Sequence, residues 1–364
     1  MYPETMAIDN PDVAGSPYFR HASSDERGAQ RRWIRRRLIL VALFYLAAAL
    51  FFNSKAGAAD RFRIAAQKTG TLVWELAIAA EHGLDREAGL DIAVAEVASP
   101  EAAKIALMGG SADIILSDWL WVARQRNLGR RLVFFPYSTA LGALMVRVGS
   151  PIRNLADLKG KKLAVAGGPL DKSWLLLQAF AKLSDLDLGS EASPVYGAPP
   201  LLYQKALSGE ADAALTYWNF CVALETRGYR RLLAMDEVER RLGAKGPVAM
   251  VGYVFSEEFA KNHAPGLTRF FAAAAKAKDI LIHSEADWDK IGQRIGIKEK
   301  AELALYRQTY IDGIPRRPVA EEVADARELY RILAKTGGPD LVGNATEFDG
   351  GTFYQPAEAA PNGP

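Results

Sequence analysis

Residues 167–174, GGPLDKSW, join an apolar run, KLAVA, to a helical run, SWLLLQAFAKL. A strand, a glycine turn and a helix start are where backbone N–H groups and the positive helix end meet an anion. Here Pro169 removes one N–H and Asp171 adds a negative charge. A second acid, Asp118, ends the strand-like run ADIILS and opens DWLWVARQR. Two such carboxylates suit a ligand with a cationic or hydrogen-bond-donating part. Both also stand just before helices, where aspartate commonly caps the first turn. Capping and ligand contact are both open for each.

Other chemistry is poorly supplied. Of four histidines, His21 lies in the N-terminal stretch, and His82, His263 and His283 lie in helical or surface-like segments, away from strand ends. There is no Cys-His-Asp set, no phosphate-cradling Walker loop and no cluster at metal-ligand spacing. Glu75, Asp118 and Asp171 are the one carboxylate trio that could chelate a metal, and none is expected. The single cysteine, Cys221, cannot form an internal disulfide and sits in the apolar TYWNFCVAL as a small buried hydrophobe. The residues point to binding rather than catalysis, with no cofactor.

Charge is concentrated at the N-terminus. RRWIRRR (31–37) precedes an uncharged run, LILVALFYLAAALFF (38–52), and then NSKAGAAD. A basic segment, a short apolar core and an A-x-A site (Ala56, Ala58) make a secretory signal with cleavage after Ala58. The apolar run is shorter than the ~20 residues a membrane-spanning helix needs; retention as an anchor is the alternative. Of the chain's 45 Lys/Arg and 43 Asp/Glu, residues 1–58 hold eight and five, so the remainder has 37 and 38, a net charge of −1. Nothing suggests a nucleic-acid surface.

From residue 61 onward strands and helices alternate, predicting an α/β fold with a mainly parallel sheet. RFRIAAQ, LDIAVAEVA and ADIILS read as strands, and TLVWELAIAAEHGL and PEAAKIALMGG as helices. The pattern restarts at GSPIRNLADLKGKKLAVAGG and ends near GPVAMVGYVFS, before a nearly all-helical stretch to about 335. LMGGSADIILSDW and LSGEADAALTYWN share one grammar of helix end, glycine, Ala-Asp, strand and aromatic turn. Two matched halves predict a cleft, with ligand beyond the carboxyl ends of the strands.

Five segments in order, RIAAQKTG, GGSADIILSDW, SPIRNLADLKGKKLAVAGG, LSGEADAALTYWNF and VGYVFSEEFAKNHAPGLTRFF, resemble periplasmic solute-binding proteins of ATP-driven (ABC) importers in the nitrate/sulfonate/taurine (NitT/TauT) group. The resemblance covers roughly residues 61–290. It implies an α/β, two-lobed, type II periplasmic binding protein fold hinged by two crossover strands, near 142–148 and 247–255. The implied organisation is a leader over 1–59, lobe 1 over 60–147 plus 249–340, lobe 2 over 148–248 and a loosely held tail over 341–364. A small-molecule ligand, an ABC permease and its ATPase are the implied partners of a monomeric periplasmic protein. A membrane-tethered sensor without its own permease is the alternative. A relative of this fold that makes a pyrimidine precursor uses a histidine and a cysteine-rich stretch, which this chain lacks.

Carried over with the strand-end rule, the resemblance implies a ligand site of Lys68, Thr69, Gly70, Thr71, Ser117, Asp118, Trp119, Tyr137, Ser138 and Thr139 in lobe 1. Gly168, Asp171, Ser173, Trp174, Tyr217, Trp218 and Asn219 of lobe 2 and Tyr253 complete it. About half of the aromatics are expected to be core, Thr71 and Ser173 are alternative helix caps, and Lys68 or Lys172 could neutralise the acids.

Overall fold

The computed structural model describes Arg37 and residues 59–345 and 347–356. The chain divides into two compact units, Met1–Ala58 and Ala59–Pro364, and all described residues except Arg37 belong to the second. The basic segment, apolar run and cleavage site therefore lie outside the described residues, Arg37 apart.

Among the described residues ten strands form two five-stranded sheets. The first contains β1 (Asp60–Gln67), β2 (Leu90–Val97), β3 (Ile114–Asp118), β4 (Leu132–Ser138) and β10 (Val251–Ser256), in the order β2-β1-β3-β10-β4. The second contains β5 (Gly142–Arg147), β6 (Lys162–Ala166), β7 (Ser193–Gly197), β8 (Ala213–Tyr217) and β9 (Tyr229–Ala234), in the order β7-β6-β8-β5-β9. In each sheet the first three strands run parallel, and the fourth, β10 or β5, runs antiparallel to both its neighbours. The sheets are thus mixed rather than mainly parallel. The inner strands β3 and β6 are almost continuously buried, because helices cover both faces.

The repeated grammar has a structural cause. β3 and β8 hold the same central place in the two sheets. The aspartate before each clips its sheet: Asp113 accepts the Arg63 N–H at 2.9 Å, and Asp212 accepts the Lys162 N–H at 2.8 Å. Arg63 adds its guanidinium to the Asp113 clip, holding that carboxyl below its usual range against the opposing effect of burial.

The chain changes sheets through residues 139–141, between β4 and β5, and through residues 242–250, between the helix Met235–Arg241 and β10. This corrects the expected crossing at 142–148: β5 already belongs to the second sheet, so that lobe begins at Gly142. Gly142 is required there, since its φ is 145° and a Cβ would lie 2.0 Å from the Thr216 carbonyl oxygen. The C-terminal region differs too. Helix Val319–Gly337 packs mainly against helix Lys172–Lys182 of the second lobe, touching the first through the Asn127–Tyr330 hydrogen bond. The chain then returns to the first lobe. Tyr354 N–H bonds to the Phe134 carbonyl, Phe353 packs on Phe134 with ring centroids 5.0 Å apart, and Asp349 pairs with buried Arg126. Residues 348–354 are therefore tied down, unlike the loose hold expected over 341–364, of which 346 and 357–364 lie outside the described residues. Burial of their aromatic rings supplies the anchoring.

Candidate functional site

Parallel strands β1, β2 and β3 of the first lobe and β6 and β8 of the second lead to one cleft, each followed by a helix whose first turns contribute to it. The helices following β1, β3, β6 and β8 begin after Thr71, Asp118, Asp171 and Tyr217, and all four of these residues line one cavity of about 120 Å³. That is the scale of a ~150 Å³ cavity that accommodates benzene.

Both aspartates are caps and cavity groups at once. Asp118 Oδ1 accepts the Trp121 N–H at 2.7 Å, while Oδ2 lies 3.4 Å from Ser117 Oγ and 3.9 Å from Lys104 Nζ. Asp171 Oδ1 accepts the Ser173 N–H at 2.9 Å. Its Oδ2 accepts the Tyr217 hydroxyl at 2.9 Å and lies 3.5 Å from Lys172 Nζ. Lys172 also sits 4.4 Å over the Tyr217 ring. Burial, reinforced by the charge of Asp171, pushes the Tyr217 hydroxyl far above its usual range, so it stays a donor.

The glycine turn before Asp171 has a steric reason. Gly167 has φ 86°, and a Cβ there would meet Asp171 Oδ2 and the Tyr217 hydroxyl oxygen, each at 3.0 Å. Glycine makes room for that hydrogen bond. Pro169 and Leu170 face outward, exposed. The turn aims a carboxylate, not an array of N–H groups, at the cleft.

On the first lobe, Thr71 Oγ1 is 3.0 Å from the Tyr137 hydroxyl. Behind Tyr137, buried Glu75 accepts the hydroxyls of Tyr253 and Tyr310, each at 2.8 Å, and pairs with Lys278 at 2.6 Å. Lys278 sits 3.8 Å from the Tyr137 ring centroid. This network braces the cavity floor. Glu75 does not line the cavity with Asp118 and Asp171, which removes the three-carboxylate chelate; among the described residues no group of three His, Cys, Asp or Glu side chains could hold a metal.

Two side chains of the second lobe bridge the cleft. Trp218 meets Trp74 edge-on at 6.1 Å and Tyr306 at 6.0 Å, both in the first lobe's core. Asn219 Nδ2 donates to the Thr69 carbonyl at 3.0 Å.

Of the residues expected at the site, Gly70, Thr71, Ser117, Asp118, Tyr137, Ser138, Asp171, Tyr217, Trp218 and Asn219 converge on the cavity. The others do not line it. Trp119, Trp174 and Tyr253 are core, packed on Phe348, Tyr196 and Phe270 respectively. Lys68 is exposed. Thr139 bonds to the Gly313 carbonyl, Thr69 contributes only its backbone to the cleft closure, and Gly168 lies beside the lining without joining it. Ser173 is buried with Oγ unpartnered; the cap is Asp171. Thr71 makes no side-chain cap either.

Sequence reasoning missed Gln67, Lys104, Leu116, Leu141 and Val251, all of which line the cavity. Gln67 is the last residue of β1 and its buried Nε2 has no partner among the described residues. Pro100, Ala103 and Lys104 share one helix face at i, i+3, i+4, a spacing that could have pointed to Lys104. Cys221 is fully buried as expected, its thiol pushed up to about 12 by burial.

Residues 73–286 match the model of the family described as NMT1/THI5 like. Among curated proteins no sequence matches. The structure is similar to the alkanesulfonate-binding protein SsuA from Xanthomonas axonopodis pv. citri bound to MOPS, with TM-score 0.63 and 21% identity over 79% of this chain and 97% of that one. It is also similar to the periplasmic aliphatic sulphonate binding protein SsuA from Escherichia coli, with TM-score 0.61 and 21% identity over 84% and 97%. The desulfurization enzyme DSZB shares the fold more distantly, with TM-score 0.51 and 15% identity over 76% and 92%. The architecture is the two-lobed α/β fold of type II periplasmic binding proteins.

Proposed function

The chain belongs to the NMT1/THI5-like family, and on that premise we propose that it captures a small organic solute between its lobes and delivers it to an ABC-type import permease. One observation carries the reading: a cavity lined from both lobes and bridged by Trp218 and Asn219. Two ammonium groups, Lys104 and Lys172, balance two carboxylates, Asp118 and Asp171, within its lining. A solute offering N–H or O–H donors to those carboxylates suits the site better than a bare sulfonate, which Asp171 would repel. Gln67 Nε2 remains available to an acceptor on the same solute.

We place the protein in the periplasm as a monomer, exported by the leader and cleaved after Ala58, with the permease and its ATPase as partners. No described helix is long and apolar enough to cross a membrane. The fold alone does not separate binding from catalysis, since an enzyme shares it. Binding is favoured by the cavity's polar groups: its aspartates are engaged as caps, and it holds no histidine or cysteine. The test is a thermal-shift screen of small solutes. A true ligand at 100 times its Kd stabilises the protein by roughly 2.7 kcal/mol. Turnover of a stabilising solute would point to catalysis instead.

A further inference from the structure

Closure of two lobes requires the crossing segments to bend. The second crossing, residues 242–250, is held by side chains at Pro247 and Ala249. Glu322, on helix Val319–Gly337, accepts the Ala249 N–H at 3.2 Å through Oε2. Glu239, on helix Met235–Arg241, lies buried beside Val248. Arg317 donates to the Pro247 carbonyl at 3.0 Å. Val248, Ala249 and Met250 are fully buried, and Glu239 and Glu322 are each 1% exposed. Glu239 Oε1 has no partner among the described residues.

The surroundings oppose charge on these two carboxyls. Asp236, Glu322 and Asp325 act on Glu239, and Asp325 acts on Glu322, all of one sign. Arg317 is the cation at hand, and it is already engaged by Asp325 at 2.8 Å and by Glu321. On the neighbouring surface Arg240 is paired with Asp236, and Arg331 with Glu328. Lys245, on the crossing itself, acts on Glu328, and Arg231 of β9 is paired with Glu225. A carboxylate held here with one N–H donor lacks the solvation it would have in water. Burial, with like charges beside it, pushes Glu322 up to about 7 and Glu239 well above the carboxylate range.

We propose that residues 242–250 form a proton-set latch: Glu239 and Glu322, when protonated, hold the crossing in its closed arrangement, and their ionisation releases it. Opening admits water, hydrates both carboxyls and returns them to ordinary acidity, so opening and proton release are linked. Acid therefore favours the closed form, and rising pH through about 7 favours the open one. This rests on the proposed closure of the lobes but not on the identity of the solute.

The experiment is small-angle X-ray scattering of the ligand-free protein between pH 5.5 and 8.5. The wild type should show a larger radius of gyration at the alkaline end. Glu239→Gln/Glu322→Gln should stay compact at both. Glu322→Gln alone serves if the double variant fails to melt cooperatively, and it should show a reduced response. A wild-type radius that does not change with pH, or a response undiminished in the Gln variants, overturns the latch. Solute-induced compaction at fixed pH, measured in the same instrument, tests capture separately, so either idea can fail without the other.

Discussion

Replacing Trp218 by alanine separates closure from folding, because this ring is carried by the second lobe and buried in the first, between Trp74 and Tyr306. Burying an indole hides about 150–250 Å², worth about 4–6 kcal/mol at ~25 cal/mol per Å². Its own lobe shields part of the ring when the cleft is open, and an extended reference inflates the area, so about 2–3 kcal/mol falls on closure. If binding requires the closed form, the apparent Kd rises by about 30- to 150-fold. Titration calorimetry with a solute that stabilises the wild type measures this directly. The ligand-free variant should still melt in one cooperative transition. An affinity within threefold of wild type would show that the ring does not act in closure. A loss of cooperative melting would show instead that the ring belongs to the core of a folding unit.

Asp171→Asn keeps most of the capping ability but loses the charge that meets the solute; affinity should fall by about 1–3 kcal/mol with little change in melting temperature, and tighter binding would return the site to anions. Mass spectrometry of the exported protein should give an N-terminus at Ala59 or Asp60, whereas an intact leader in the membrane fraction would support the tethered sensor. Stability should depend on pH with a definite sign. The raised pKa values of Glu322 and Glu239 mean the folded chain holds protons that the unfolded chain releases, so their contribution is present at acidic pH and lost as pH rises, through about 7 for Glu322. Melting temperature should be higher at pH 5.5 than at pH 8, and the reverse order would refute the assignment.

The halves of the fold were legible because their grammar serves a geometric need. The Ala-Asp pairs precede β3 and β8 since each aspartate clips the start of a central strand. The first crossing was misplaced because β5 is buried at five of its six positions and reads as extended in either lobe. Trp119 and Trp174 stand one and three residues after their caps, where the helix turns the side chain away from the cleft, and no pattern in one sequence gives that direction. Asp118 and Asp171 could not be resolved as caps or ligand groups, because each uses one oxygen as a cap and presents the other to the cavity. The anchoring of residues 348–354 depends on Phe134 and Arg126, more than 200 positions earlier, which local composition does not report.

The central claim, capture of one small solute between the lobes, is tested most directly by native mass spectrometry of the protein incubated with a mixture of small metabolites. One solute per chain should be retained, released on unfolding, and largely absent from Trp218→Ala under the same conditions. A wild-type chain that remains bare across the mixture, or a solute retained equally by Trp218→Ala, would contradict it.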